Sequence, residues 1–522
     1  MTGNQPSDDG PAPTEGLVVV SNREPYSHTY EADADAEEGD DSTEREIQVQ
    51  RPVGGLTAGL DPVMQAASGT WVAWGDGDAD REVADERGRV RVPPEDPAYT
   101  LQRVWLSDEE VEDYYYGYSN QVLWPLCHGD VGNITYEPRF WQRYEEVNRR
   151  FADAASDCVE RDDSEDDGLI WFQDYHFGLA PAIARSQVGD ETTIAQFWHI
   201  PWPSLESFEV CPQHHQLLEG LLANDLLGFH VDPHCAHFLE CVDACIEGAA
   251  IDWDEGRVIH DGHETLVRSF PMGVDTDRIE RLAGSEGADD FWADFRESRA
   301  IAPDATVAVG VDRLDYTKGI PERVRAVEHL LETRPEYRGE FVYVQKASES
   351  RSQIPAYREL QREVSETVER VNDRFGTDDW QPIVGVTEML PAESLYGLYR
   401  HADLALVSPV RDGMNLVAKE YVAAQVANDG ALVLSEFAGA VEDLGNYAYT
   451  INPYATEEFA DTIHEAVTDS PTDRKRRMRQ LRQLVAAYDL DAWMDDIFGT
   501  VTDLRSDRRG AETDAAGRTE QS

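Results

Sequence analysis

Short apolar runs recur along the chain, each followed by a stretch with apolar residues every three or four positions. Leu17–Ser21 (LVVVS) has the make-up of a strand buried on both faces. Leu169–Phe172, Thr193–Trp198, Thr306–Val311, Phe341–Val344, Asp403–Val407 and Ala431–Leu434 repeat it. Pro321–Leu331, Pro391–His401 and Met414–Gln425 carry helical spacing. Ser107 with Glu110 forms a capping box and predicts a helix start before a segment ending near Leu126. Strands alternating with helices in this way predict parallel, doubly wound α/β sheets.

The pattern breaks at Pro271–Gly287, where a strand gives way to polar, Gly-containing sequence, and a fresh series begins at Thr306. Residues 16–275 and 276–482 therefore read as two Rossmann-like domains whose parallel sheets face a deep interdomain cleft. Residues 483–504 read as a C-terminal helix able to pack back on the first domain. The polar segments 1–15 and 505–522 are expected to be disordered tails. Glu31–Glu46 (EADADAEEGDDSTERE) reads as a solvated acidic loop insertion rather than a metal site.

Composition narrows the class. Hydrophobic residues are 41% of 522 and include 12 Trp, enough for sizeable cores and too many for a disordered chain. No apolar run approaches the ~18 residues of a membrane-spanning helix. The opening MTGNQPSDDGPAPTEG has neither a basic start nor an apolar stretch, so no secretory signal is expected. Six cysteines are few for a disulfide framework, and a cytoplasmic protein is predicted. Charge says more. Asp and Glu number 103 against 45 Lys and Arg, a formal net charge of −58. That field repels nucleic acid. The four lysines are Lys318, Lys346, Lys419 and Lys475. Acid excess with scarce lysine predicts a salt-adapted, halophilic surface whose self-repulsion is screened by concentrated salt. It also marks the lysines that survive inside apolar segments as candidates for function, which Lys475, in a basic run, is not.

Three strand-to-helix junctions carry candidate chemistry. Ser21-Asn22-Arg23 follows the first strand, and Val53-Gly54-Gly55-Leu56 opens the next helical stretch. Paired glycines there suit either a backbone close to phosphate or a tight turn. Gly310–Pro321 (GVDRLDYTKGIP) places Arg313 and Lys318 in the loop between a buried strand and a helix. Two cations at the carboxyl edge of a sheet would neutralise a diphosphate; the competing reading is surface pairing with Asp312 and Asp315. In Arg411–Tyr421 (RDGMNLVAKEY), Gly413 allows backbone amides to approach a ligand. Asp412, with Glu420 about two turns into the helix, suits sugar hydroxyls, or else is an N-cap with an ordinary surface Glu beyond it.

Together these segments resemble the trehalose-6-phosphate synthases, retaining glycosyltransferases of the two-Rossmann-domain (GT-B) type. The resemblance runs from about Leu17 to about Asp503. It includes LVVVSNR, SNQVLWP (119–125), QDYH (173–176), HIPWP (199–203), VDRLDYTKGIPER (311–323), RDGMNLVAKEYVAAQ (411–425) and LSEFAGA (434–440). It implies transfer of glucose, with retention, from a nucleoside-diphosphate glucose to glucose 6-phosphate, UDP-glucose standing ahead of GDP- and ADP-glucose. It implies Arg23, Tyr115, Asp174 and Arg351 on the acceptor, and Gly54, Arg313 and Lys318 on the donor diphosphate. Leu390 falls near the base and Glu420 on the ribose. Asp412 and the amides of Gly413, Met414, Asn415, Leu416, Val417, Ala418 and Lys419 fall on the donor, with Trp124 and His199 near the reacting sugar. The implied catalytic residues are Arg313, Lys318 and Asp412, with no metal and no cofactor.

Two rival readings share these motifs. Glucosylglycerol-phosphate synthase would use glycerol 3-phosphate as acceptor. A non-catalytic sugar-phosphate sensor would tolerate loss of the donor cations or of Asp412 and Glu420, all of which are present. The chain ends soon after the second domain, so a separate trehalose-phosphate phosphatase is the expected downstream partner. No nucleic-acid or membrane partner is expected, and a homo-oligomer stays open. Two other clusters carry less. Asp76–Asp80 begins like a calcium loop, but Arg81 stands where the sharp-turn glycine belongs. His230, His234, Cys235, His237, Cys241 and Cys245 contain no C-x-x-C pair and read as one packed helix rather than a zinc site.

Overall fold

The computed structural model describes residues 16–31, 45–51, 55–159 and 168–519. The N-terminal tail, most of the acidic insertion and Gly54 lie outside the described residues.

The buried apolar runs assemble into two large sheets. The first has ten strands, with Leu226–Phe229, Thr193–Phe197, Leu169–Gln173, Leu17–Ser21, Thr70–Trp74 and Tyr99–Val104 side by side and parallel at its centre. Its edges are antiparallel: Arg89–Val92 at one side, Arg257–His260 and Ala250–Asp252 at the other. These edge strands are short and half polar, which is why the apolar pattern did not mark them. The second sheet is wholly parallel, in the order Ile383–Val386, Phe341–Ser348, Thr306–Arg313, Leu404–Val407, Ala431–Ser435, Tyr449–Ile451. Leu17–Ser21, Leu404–Val407 and Ala431–Ser435 are buried at every position, as strands covered on both faces must be. Ser27–Tyr30 and Ile47–Gln50 form a separate antiparallel pair flanking the acidic insertion.

Two features differ from the sequence expectation. The capping box at Ser107 and Glu110 is present, but it starts only Asp108–Glu110 before the chain widens into a π-helix over Val111–Leu123. Asn120 and Gln121 hold that winding, their side-chain amides donating to the carbonyls of Tyr115 (2.7 Å) and Tyr116 (2.9 Å). Such windings recur at functional sites because they re-aim side chains, here Tyr115 and Trp124. The second difference is at the C-terminus. Residues 505–519, expected as a disordered tail, continue the helix Leu490–Thr519. Arg505 anchors it by donating to Gly168 O (2.8 Å) and Thr193 Oγ1 (3.0 Å), contacts that a reading by composition does not see. Upstream, Trp493, Ile497, Phe498 and Val501 pack beneath the first sheet against Trp171 and Phe197.

Candidate active site

Loops at the carboxyl ends of strands from both sheets enclose two adjoining cavities, the place where open parallel sheets bind ligands. The larger, about 1070 Å³, opens beyond Leu17–Ser21 and Leu169–Gln173. Arg23 leaves the first of these strands and reaches Asp76 (2.7 Å) and the Tyr115 hydroxyl (3.2 Å). Arg351 comes from the second sheet, on a turn where its φ is 47°. It donates to the hydroxyls of Tyr357 (2.6 Å) and Tyr175 (3.1 Å), pairs with Asp315 (3.3 Å) and lies 4.1 Å from the Trp124 ring centre. Arg313 lies over the same ring at 5.7 Å. Burial would push the Tyr115 phenol up, but Arg351, Arg23 and Arg313 outweigh it and bring it down to about 8. Three guanidiniums thus converge in a chain of net charge −58, which is the field a phosphate group needs. Gln173 Nε2, both ring nitrogens of His176 and Arg351 Nε, all on residues of this wall, are buried without a protein partner.

The smaller cavity, about 490 Å³, lies over Thr306–Arg313, Phe341–Ser348 and Leu404–Val407. Lys318 Nζ donates to Asp412 Oδ2 at 2.5 Å, and Asn415 Nδ2 to the same oxygen at 3.0 Å. Burial opposes ionisation of Asp412, yet Lys318 and Asn415 hold its carboxyl below the usual range. Asn415, with φ of 85°, caps the helix Leu416–Ala424, and its side-chain oxygen has no partner. Met414, Asn415, Leu416 and Val417 bring that N-terminus, with its positive dipole end, to the cavity wall. Glu420 lies one turn further along. It accepts from the Tyr399 hydroxyl at 3.4 Å, and burial pushes its carboxyl up to about 7. Leu390 and His199 line the same cavity. Burial takes the His199 ring down to about 3, so it is neutral, and its Nε2 lies 3.0 Å from Gln173 Oε1.

Asp174, Arg313 and Met389 line both cavities. Asp174 has a φ of 75°, a strain held in place by its own amide donating to Phe197 O (2.6 Å). Its Oδ1 accepts from the amides of Tyr175 (2.9 Å) and His199 (3.3 Å). Burial still prevails over these bonds and raises its carboxyl to about 7.

Several expectations change. Asp312 and Asp315 do not pair with Arg313 and Lys318: Asp312 holds the buried Arg323 at 2.8 Å, and Asp315 holds Arg351. Asp412 is not an N-cap, since Asn415 occupies that position, and Glu420 is a half-buried carboxylate on the cavity wall rather than a surface one. Gly413 answers contact between the two halves, because a Cβ there would lie 2.4 Å from His199 O. Ala418 and Lys419 stand outside the cavity wall, and Lys419 Nζ is turned to Met272 O (2.9 Å) and Asp443 (3.0 Å). The supports beneath the site were not foreseen. Arg323 donates to Ser408 Oγ (2.9 Å) and Lys318 O (3.2 Å), fixing the loop that carries Lys318. Arg103 binds Glu24 (2.8 Å), Asp80 (2.7 Å) and Tyr26 O (3.0 Å), fixing the loop that carries Arg23. Long-range pairs of this kind leave no local signal in a sequence.

Residues 15–503 match the model of glycosyltransferase family 20. A bifunctional trehalose-6-phosphate synthase/phosphatase of Thermoproteus tenax is 36% identical over 498 residues, 95% of this chain but 65% of that longer protein. A solved structure of a trehalose-6-phosphate protein from E. coli bound with UDP-2-fluoro glucose superposes with a TM-score of 0.80 at 31% identity, covering 94% of this chain and 98% of that one. A UDP-forming alpha,alpha-trehalose-phosphate synthase from Burkholderia xenovorans in complex with glucose-6-phosphate gives 0.79 at 28% identity, over 94% and 99%.

Asp174 and Glu420 make the site expensive to fold. Both carboxyls sit at about 7 in the folded chain, above the ~4 of an unfolded carboxyl. Between those values the folded chain holds protons that the unfolded chain has released. Stability therefore falls as pH rises from about 4 to about 7, and the loss is complete above that range. Asp174→Asn and Glu420→Gln should each raise the melting temperature at pH 8 and change it little at pH 4. Equal effects at both pH values would show that burial does not govern either group.

Proposed function

Since this chain belongs to glycosyltransferase family 20, we propose that it is a retaining α,α-trehalose-phosphate synthase, moving glucose from UDP-glucose to glucose 6-phosphate and releasing UDP and trehalose 6-phosphate. The observation that carries this reading is the meeting of two anion-suited cavities at Asp174 and Arg313.

In this reading the donor occupies the smaller cavity. Its diphosphate lies against Arg313, Lys318 and the N-terminus of Leu416–Ala424, with Glu420 accepting from the ribose and Asp412 from the transferred glucose. The acceptor occupies the larger cavity, its phosphate between the guanidiniums of Arg23 and Arg351, beside the Tyr115 hydroxyl. Asp174, at the junction, accepts from acceptor hydroxyls. As the bond from the glucose C1 to the diphosphate breaks, the acceptor's anomeric hydroxyl oxygen bonds to C1 from the same face. Its proton passes to the departing diphosphate oxygen. Arg313 and Lys318 stabilise the charge growing on that oxygen, an effect of ~3–4 kcal/mol for one well-placed donor. The neutral His199 can hydrogen-bond the sugar without adding charge.

Three broader features accompany the reading. The product is a phosphate monoester, so a phosphatase is its natural consumer, in line with the bifunctional name of the Thermoproteus tenax relative. A cytoplasmic setting agrees with six cysteines that are all free. Among the described residues no helix is long and apolar enough to cross a membrane. The charge of −58 belongs to a surface adapted to concentrated salt.

Incubation with UDP-glucose and either glucose 6-phosphate or glycerol 3-phosphate, with products identified by NMR, tests the acceptor. Trehalose 6-phosphate should form, with glucose 6-phosphate preferred by ~10⁴-fold, because a smaller acceptor leaves buried polar groups unpaired. Equal use of glycerol 3-phosphate would reassign the activity. Activity and melting temperature should both rise as KCl goes from ~0.1 M toward ~1 M and the screening length shrinks from ~10 to ~3 Å. Full activity with an unchanged melting point in dilute buffer would contradict salt adaptation.

A further inference from the structure

Lys346 is a buried lysine that the proposed reaction leaves without a task. It stands on the strand Phe341–Ser348, level with Val311 on one neighbour and Val386 on the other. Its residue is only 6% exposed, and with Ser348, Met389 and Leu390 it lines the smaller cavity. The half-buried Lys318 and the buried Lys419 are ion-paired, with Asp412 at 2.5 Å and with Asp443 at 3.0 Å. Lys346 differs. Among the described residues its hydrogen-bond partner is the Ser348 hydroxyl, and no carboxylate lies within ion-pair distance. The acid whose field reaches it, Glu388, is engaged by Arg299 at 3.0 Å. An ammonium has three N–H donors, Ser348 accounts for one of them, and the residue lines a cavity in which a ligand could meet the others. Burial accordingly pulls its pKa down. In a chain with four lysines, one held at such a place calls for a ligand.

Its position in the sheet says which part of a ligand. Lys318 and Asp412 follow the strands Thr306–Arg313 and Leu404–Val407, and the helix Leu416–Ala424 starts beside them. Lys346 lies on the other side of Thr306–Arg313 from Leu404–Val407, next to the edge strand Ile383–Val386. The chain leaving that edge strand carries Met389 and Leu390 into the same cavity. On the donor-site reading, with the diphosphate at Lys318 and Leu390 near the base, this is the side that the base would take. We propose that Lys346 is a specificity-determining residue for the donor, its ammonium donating to an exocyclic carbonyl oxygen of the base and so selecting uracil or guanine over adenine. Uracil O4 and guanine O6 accept such a bond, whereas adenine presents its N6 amino group, itself a donor, at the corresponding place. The inference rests on the smaller cavity being the nucleotide-sugar site.

The test compares wild type with Lys346→Met, which keeps the length of the side chain and removes the charge. kcat/KM is measured for UDP-, GDP- and ADP-glucose at saturating glucose 6-phosphate. The wild type should prefer an oxo-base donor over ADP-glucose by roughly 10- to 100-fold, the worth of one charge-assisted hydrogen bond. Lys346→Met should lose that preference through a fall with the oxo-base donors. The KM for glucose 6-phosphate should stay unchanged, and the melting temperature should not drop. An equal fall with all three donors would place Lys346 on the diphosphate or sugar and overturn the assignment, as would unchanged ratios. A readout independent of the variant is the melting-temperature rise of the wild type with UDP, GDP or ADP alone. A larger rise with UDP or GDP supports the proposal, and an equal or larger rise with ADP overturns it. A wild type that turns over normally while these ratios fail sinks this inference alone. A wild type that transfers no glucose from any donor sinks the donor-site reading with it.

Discussion

In the proposed reaction two phosphate-bearing ligands are held side by side in a protein whose own charge is −58, and the cations of the two cavities answer that constraint. At separations of a few ångströms, repulsion between the anions costs several kcal/mol in a partly dry cleft. The chain meets it with Arg23, Arg313, Arg351 and Lys318, drawn from loops of both sheets. None of these is left loose. Trp124 lies under two of the guanidiniums, Asp76 and Tyr115 orient Arg23, and Asp412 orients Lys318. Guanidinium stacked on an aromatic face keeps its charge while losing little further freedom when a phosphate arrives.

The cations work because buried groups beneath them are already satisfied. Arg323 and Arg103 are both fully buried, each tied to carboxylates and backbone carbonyls, and each fixes a loop that bears a site cation. Breaking such a buried network by removing one partner is strongly destabilising, at roughly 3–5 kcal/mol. The opposite bias appears at Asp174 and Glu420, where burial raises two carboxyls to about 7. Here stability is given up for acceptors placed in the cavities, a trade-off expected where a site must bind hydroxyl groups.

Legibility from sequence follows the range of the interactions involved. LVVVS, LALV and ALVLS announce doubly covered strands because burial on both faces demands unbroken apolar runs. The carboxyl ends of Thr306–Arg313 and Leu404–Val407, with Arg313, Lys318 and Asp412, were readable because strand, turn and helix chemistry is local. Tyr115 and Trp124 were reached only through motif resemblance, since nothing local announces the π-helical winding that aims them. Arg351 depends on Asp315 at a turn after Thr306–Arg313, on Tyr357 in the helix Pro355–Phe375 and on Tyr175 at a turn after Leu169–Gln173, and no spacing rule brings those together. Gly413 shows a second demand that local spacing does not announce: the glycine accommodates His199 O, a contact between distant segments. The helical continuation past residue 505 was missed likewise, because its anchors are on the first sheet.

The proposed reaction divides labour between the two cavities, the larger holding the sugar phosphate and the smaller the departing diphosphate. Steady-state kinetics of Arg23→Ala and Lys318→Ala, with both substrates varied, address it most directly. Arg23→Ala should raise the KM for glucose 6-phosphate and leave that for UDP-glucose nearly unchanged. Lys318→Ala should lower kcat by ~10²-fold or more, as for loss of a donor that acts in the transition state. Parallel changes in the same parameters for both variants, or wild-type turnover in Lys318→Ala, would show that the cavities do not divide the two ligands in this way.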